Sequence, residues 1–317
     1  MDTRHLVDPE IVPLIELMPA GTYTRETLPA IRAGAAERYA LLPQPELAPV
    51  LHTIGGPGGP LEIMLFDPAP GTPGRGALLH IHGGGMIMGS AKLMAVGPAR
   101  MAQLLGIPVA SVEYRLAPET PFPGPQEDCY AALAWLAAQR AEIGLDPARI
   151  GVIGESAGGG LAAAVALMAR DRGGPAIAGQ FLIYPMLDHR TGSEACAHRN
   201  RTTGEFVWTR ASNVFGWEAL RGDYIPGDAR KGWFSPSLAE DLAGLPPTVI
   251  LTGSLDLFFD EDLDYARRLV DAGVPVELHS YAGAIHAFNV MAEAAVARAF
   301  SRDMLTGIAR VLAIPRA

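Results

Sequence analysis

An α/β fold built on a mainly parallel sheet is predicted by three observations. From residue 77 onward, six short aliphatic runs follow one another: ALLHIH, PVASVEYR, RIGVIG, GQFLIYP, PTVILTG and PVELHSY. Most are separated by amphipathic stretches of helical length, such as QEDCYAALAWLAAQRAE and DEDLDYARRLVDAG. Strand, helix, strand alternation of this kind makes crossover units, whose helices cover both faces of a parallel sheet. Third, 317 residues at 49% hydrophobic and 19% charged suit one large core plus something smaller.

Taken in order, the first 48 residues read as helical. Ile11, Leu14, Ile15 and Met18 share a helical spacing, and a second helix is predicted near Glu26 to Leu41. GGPGGP at 55–60 is a turn between two extended runs; its glycines lack the G-x-G-x-x-G register of a phosphate loop. The crossover rhythm then runs from residue 77, broken only at 188–227 by a polar loop and a tryptophan-bearing helical segment that read as an insertion.

Several functional classes are disfavoured. A formal charge of −9 argues against nucleic acid, whose binding depends on clustered Lys and Arg. The apolar run Leu161 to Ala169 spans nine residues against the ~20 needed to cross a bilayer, so no stable membrane insertion is expected. The N-terminus mixes acids and prolines into its apolar positions, unlike a secretion signal, so a cytoplasmic location is expected. Cys129 and Cys196 form no CxxC pair and no His/Cys cluster has metal spacing; two free thiols and no metal are expected.

The chemistry concentrates around Ser156. In Gly154-Glu155-Ser156-Ala157-Gly158 a strand ends and a helix begins within two residues. Such a turn strains the serine backbone and leaves its hydroxyl exposed above the sheet, the G-x-S-x-G nucleophile elbow. Alone, the pentapeptide would equally suit a serine helix cap with glycines for close packing. A nucleophilic serine needs a base, and the base needs a carboxylate to orient it. Among the eight histidines, His286 follows the last strand run and a short AGAI loop, at the sheet edge where catalytic groups gather. Asp256 lies just past the end of PTVILTG, whereas Asp260 and Asp262 begin the next helix, where the dipole favours acids. HIHGGGMIMGS, with His82 to Gly85 following a strand, lets a substrate oxygen approach backbone N–H groups closely, as an oxyanion hole requires.

Together, HGGG, YRLAPETPFP (114–123), DPARIGVIGESAGG, LIYPMLD, the Asp256 segment and IHAF resemble the bacterial hormone-sensitive-lipase-like esterases of the α/β-hydrolase superfamily, over about residues 77–290. The resemblance implies an eight-stranded, mostly parallel sheet flanked by helices, with a helical cap. Its core would comprise residues 49–187 and 228–317, capped by the segments 1–48 and 188–227. It implies Gly84, Gly85 and Ala157 as oxyanion donors, and fold scaffolding for Arg115 and Glu119. Three positions depart from the family pattern: Met86 where an aromatic is common, Glu155 where Asp is common, and Ala287 where Gly is common.

The expected activity is a serine carboxylesterase acting on short- to medium-chain esters, without cofactor, through Ser156, His286 and Asp256. Met86, Met88, Trp208, Phe215 and Trp217 are expected to line an apolar cleft. A lactone or amide hydrolase using the same triad, or a non-catalytic binding protein on the same fold, are the alternatives. PVELHSY should be an edge strand, and exposed edges invite pairing, so a homodimer through 274–281 is expected.

Overall fold

The computed structural model describes residues 2–40 and 44–314. Strands β1 (Val50–Gly56), β2 (Gly59–Phe66), β3 (Arg75–Ile81), β4 (Val109–Val112), β5 (Leu145–Glu155), β6 (Gly179–Ile183), β7 (Thr248–Gly253) and β8 (Val276–Tyr281) form one eight-stranded sheet in the order β1-β2-β4-β3-β5-β6-β7-β8. β2 pairs antiparallel with β1 and β4; every other pairing is parallel. The GGPGGP turn closes the β1–β2 hairpin, with Gly56 opposite Gly59, and β8 lies at the edge of the sheet.

Ten α-helices occur among the described residues: α1 (Leu14–Leu17), α2 (Leu28–Ala40), α3 (Val96–Leu105), α4 (Gly124–Ala138), α5 (Arg140–Ile143), α6 (Ala157–Arg172), α7 (Arg210–Arg221), α8 (Lys231–Phe234), α9 (Phe259–Asp271) and α10 (Ala295–Val311). Successive strand side chains point to opposite faces, and the core divides accordingly. Leu79, Ile81, Val152, Leu182 and Ile250 join α4, α6, α7, α8 and α9 on one face. Leu78, Ile153, Ile183, Val249 and Leu251 join α3, α10 and the N-terminal Ile11 and Leu14 on the other. α6 is apolar on nearly every side and is buried from Ala157 to Ala169, as expected of a helix enclosed on all faces.

The predicted N-terminal helix is only partly realised. Around Ile11 to Met18 there is one helical turn, α1, preceded by turns and a 3-10 turn at Arg4–Leu6. Pro9, Pro13 and Pro19 explain this, because each withholds an N–H and disfavours helical angles in the residue before it. The second predicted helix is α2; its predicted end at Leu41 lies outside the described residues. In the 188–227 segment only α7 is α-helical, the stretch before it being turns and bends. No helix among the described residues is long and apolar enough to cross a membrane.

Candidate active site

Ser156 follows β5 directly and caps α6, with φ 57° and ψ −118°. That region is costly for a residue with a side chain and persists only where the surroundings enforce it. Here its N–H donates to the Ile183 carbonyl at 2.8 Å, while its carbonyl accepts from Gly160 N at 3.0 Å and Met186 N at 2.9 Å. Gly158 is required because a Cβ there would collide with the Ile81 carbonyl of the neighbouring strand. The helix can therefore start hard against the sheet.

β7 and β8 supply the partners. Asp256, three residues past β7, is fully buried, and its Oδ1 accepts from Phe258 N at 3.0 Å. His286, five residues past β8, donates from Nδ1 to Asp256 Oδ2 at 2.7 Å, and its Nε2 lies 3.0 Å from Ser156 Oγ. A carboxylate can only accept, so the Nδ1 proton is fixed and Nε2 is left to accept from the serine hydroxyl. Three side chains drawn from a span of 130 residues thus form one hydrogen-bonded chain. Asp260, by contrast, sits half-buried in the first turn of α9 and takes no part in it.

The HGGG loop abuts this chain. A Cβ on Gly83 would lie 3.5 Å from Ser156 Cβ. Gly84 and Gly85 have φ 120° and 61°, and the turn they begin is closed by Ile87 N and Met88 N donating to the Gly84 carbonyl at 3.1 and 3.0 Å. Among the described residues, the N–H groups of Gly84, Gly85 and Ala157 make no hydrogen bond to the protein. Ala157 is the first residue of α6, where such free donors carry the positive end of the helix dipole. Donors without protein acceptors beside a nucleophile suit a developing anion.

Beneath the loop, burial pushes the His82 imidazole down to about pKa 4, so it stays neutral, its ring stacked on Tyr114 at 4.1 Å. His80 bridges Ser111 Oγ (2.8 Å) and the Glu155 carboxylate (3.1 Å). Since Nε2–H must donate to the carboxylate, the Ser111 hydroxyl donates to Nδ1.

Sequence reasoning missed the walls around His286. Its ring is flanked edge-on by Tyr184 at 4.9 Å and Phe258 at 5.4 Å, and the Tyr184 hydroxyl donates to Asn289 Oδ1 at 2.7 Å. The Tyr of LIYP carried the only signal, a motif whose side-chain role is decided by packing. Arg115 forks onto Asp128 (2.7 and 2.8 Å), and Glu119 takes Arg32 of α2 (2.9 and 3.0 Å).

The residues expected to line the cleft differ in burial. Met86 and Trp217 are 1% and 2% exposed and pack in the core, Trp217 against Phe234 and His189. Trp208 is also closed off, against Gly85. Only Met88 and Phe215 stay partly exposed. A cavity of about 630 Å³ opens beside the acid loop, lined by Leu257, Asp260, Arg199 and Arg201 among others, but it contains none of Ser156, Asp256 and His286. Among the described residues no group of three or more His, Cys, Asp or Glu side chains could hold a metal ion.

An elbow serine, an acid and a histidine at the ends of β5, β7 and β8 define an α/β hydrolase, and residues 78–290 match the family described as alpha/beta hydrolase fold. The chain is 33% identical to Esterase LipI of Mycobacterium tuberculosis over 299 residues, covering 90% of this chain and 89% of that protein. It is 30% identical to the Ethyl acetate hydrolase of Pseudomonas putida, covering 90% and 92%. Among solved structures, a Bacterial Heroin Esterase superposes with a TM-score of 0.88 at 38% identity, covering 100% of both chains. The chain belongs to the hormone-sensitive-lipase-like carboxylesterases of the α/β-hydrolase superfamily. It is a carboxylic ester hydrolase.

Proposed function

We propose that the protein is a serine carboxylesterase in which Ser156 is the nucleophile, His286 the general base and acid, and Asp256 the orienting carboxylate. The observation that carries this reading is the unbroken Asp256–His286–Ser156 chain at 2.7 and 3.0 Å, ending on a serine held at φ 57°. Ser156 Oγ attacks the ester carbonyl carbon as its proton passes to His286 Nε2. The tetrahedral oxyanion is held by the free N–H groups of Gly84, Gly85 and Ala157. As the intermediate collapses, the leaving alkoxide takes the proton from Nε2, and an acyl-enzyme remains. Water then attacks the acyl carbon, giving a proton to His286, which returns it to Ser156 as the acid departs. Asp256 accepts from Nδ1–H and supports the imidazolium at both stages.

The substrates proposed are short- to medium-chain esters. Partly exposed Met88 and Phe215 are apolar, the thioether of Met88 being adaptable, and one similar protein is named for ethyl acetate, a short ester. Lactones and amides present the same carbonyl to the same triad, and the esterase names of the relatives favour esters. Ser156→Ala is expected to fold normally and lose ester hydrolysis by several orders of magnitude. An organophosphate should label Ser156 in the unaltered protein. Turnover near that of the parent in the alanine variant would sink the serine mechanism.

A further inference from the structure

Gly85 is gripped from the cap on two sides. A Cβ on Gly85 would collide with the six-membered ring of the Trp208 indole, so that ring lies flush on its Cα. From α7, a Cβ on Gly216 would come within 2.9 Å of the Gly85 carbonyl and 3.5 Å of the same indole. The indole is itself fixed. Its Nε1–H donates to Asn213 Oδ1 at 3.1 Å, and fully buried Asn213 donates from Nδ2 to the Thr191 carbonyl at 2.7 Å. Tyr23, from the N-terminal segment, packs on it with ring centroids 5.3 Å apart. The preceding residue, Val207, is held at φ 62°, an outlier for a β-branched side chain that this packing enforces.

This clamp falls on a peptide that needs one. A glycine at φ 61° also reaches negative φ with little cost, and such a swing would turn the N–H of Gly85 away from the nucleophile. An oxyanion hole works because its dipoles are already aimed before charge develops. We infer that Trp208 is a positioning residue for the oxyanion hole: by pressing on Gly85 it makes the cap a support for the chemical step as well as a cover for the substrate. The inference rests on the proposed roles of Ser156 and of the Gly85 donor. Trp208 acts through Gly85, and it was expected from sequence to touch substrate; the two roles differ in what they do to kcat and KM. Loss of a support that matters mainly when the oxyanion forms lowers kcat, whereas loss of a pocket wall raises KM.

The test compares Trp208→Leu, Trp208→Phe and Tyr23→Ala with the unaltered chain. For each, kcat and KM on p-nitrophenyl butyrate, the inhibition constant of an alkyl trifluoromethyl ketone and the thermal midpoint are measured. Trp208→Leu should lower kcat by about tenfold or more, approaching the ~10² of a lost oxyanion donor. Its KM should stay within about threefold, and the ketone, whose adduct needs the hole, should weaken in parallel with kcat. Trp208→Phe should recover most of the loss because a ring still covers Gly85. Tyr23→Ala, at a half-buried position, should show a smaller kcat loss with an unchanged midpoint. A rise in KM alone would make Trp208 a pocket wall and overturn the inference. Equal losses in the Leu and Phe variants, tracking a lower midpoint, would also overturn it. Should Trp208→Leu fail to fold, unchanged kcat and ketone affinity in both Trp208→Phe and Tyr23→Ala would do the same. Ser156→Ala run alongside separates the two claims: activity there sinks the serine reading, whereas an inactive Ser156→Ala beside unchanged kcat in Trp208→Leu sinks only the role of Trp208.

Discussion

Asp256 and Asp260 lie four positions apart, and their surroundings differ. Asp256 is closed off from water and joined to His286 and to the Phe258 N–H. Asp260 is half-buried at the start of α9, where its charge meets the positive end of the helix dipole. In Asp256→Asn the amide offers an N–H where Nδ1–H needs an acceptor, or holds the imidazole in the wrong tautomer. Turnover is expected to fall about 10⁴-fold, the loss seen when a triad acid becomes its amide. Asp260→Asn should cost only about 0.3–1 kcal/mol of helix stability and leave kcat nearly intact. Steady-state kinetics on both variants check the pair; the reverse ranking would move the orienting acid four residues along the chain.

At the scale of one element, α9 shows how a helix N-terminus can carry acids for two reasons. Asp260, Glu261 and Asp262 fill its first turn, which the dipole favours, yet Glu261 and Asp262 are turned into the protein. Glu261 accepts from Leu187 N (2.6 Å), Asp188 N (3.2 Å) and the Thr191 hydroxyl, tying the start of the 188–227 segment to the helix. Burial pushes both carboxyls well above the ordinary carboxylate range, with the neighbouring Asp188 adding to the effect on Glu261, and Glu261 to that on Asp262. An acid whose pKa is raised by folding stabilises most below its unfolded value of about 3.9, and that contribution is lost as pH rises towards the folded value. Asp262→Asn cannot ionise and escapes that loss. Its thermal midpoint should therefore gain on the parent as pH rises from about 4, the unfolded-state value, upward. Scanning calorimetry across that range checks it; a midpoint difference independent of pH would mean that Asp262 is already ionised in the fold.

Across the whole molecule, the N-terminal segment and the 188–227 segment meet over the carboxyl ends of the parallel strands and are tied to the site. Arg32 of α2 donates to the carbonyls of Ile87 and Ala117 at 2.7 and 2.8 Å, and Ile87 lies just beyond Gly84 and Gly85. Thr3 donates to Glu205, and the Ser212 hydroxyl to the Gly21 carbonyl at 3.3 Å. For the short- to medium-chain esterase proposed, a covered apolar cleft would enclose a short acyl chain fully, with each buried methylene worth ~0.8 kcal/mol, and then run out of room. Activity on linear p-nitrophenyl esters is expected to rise from acetyl to a maximum between about four and eight carbons and then fall, with little action on long-chain triglyceride. A profile still climbing at palmitoyl, with activation at an oil–water interface, would show a true lipase and an open cleft.

The alternation of aliphatic and amphipathic runs, the GESAG turn and the chain order Ser156, Asp256, His286 are legible in the residues themselves, because each rests on short-range constraints. A strand passing into a helix within two residues leaves few backbone solutions, and glycines at 154 and 158 meet the closest approaches. The prolines at 9, 13 and 19 carry a local signal too, and it outweighs the helical spacing of Ile11 to Met18 that points the other way. The fate of Met86, Trp208 and Trp217 is not legible, since hydrophobicity says that a side chain leaves water without saying what it leaves water for. The same holds for Glu261 and Asp262, whose charge suits an exposed helix start as well as a buried one. The sequence by itself determined the class of fold, the elbow and which three residues had to meet. The tertiary structure alone decided that the indole of Trp208 rests on Gly85 and that Tyr184 and Phe258 enclose His286. Those contacts join segments distant along the chain, and close packing among many apolar candidates selects them only once every neighbour is in position.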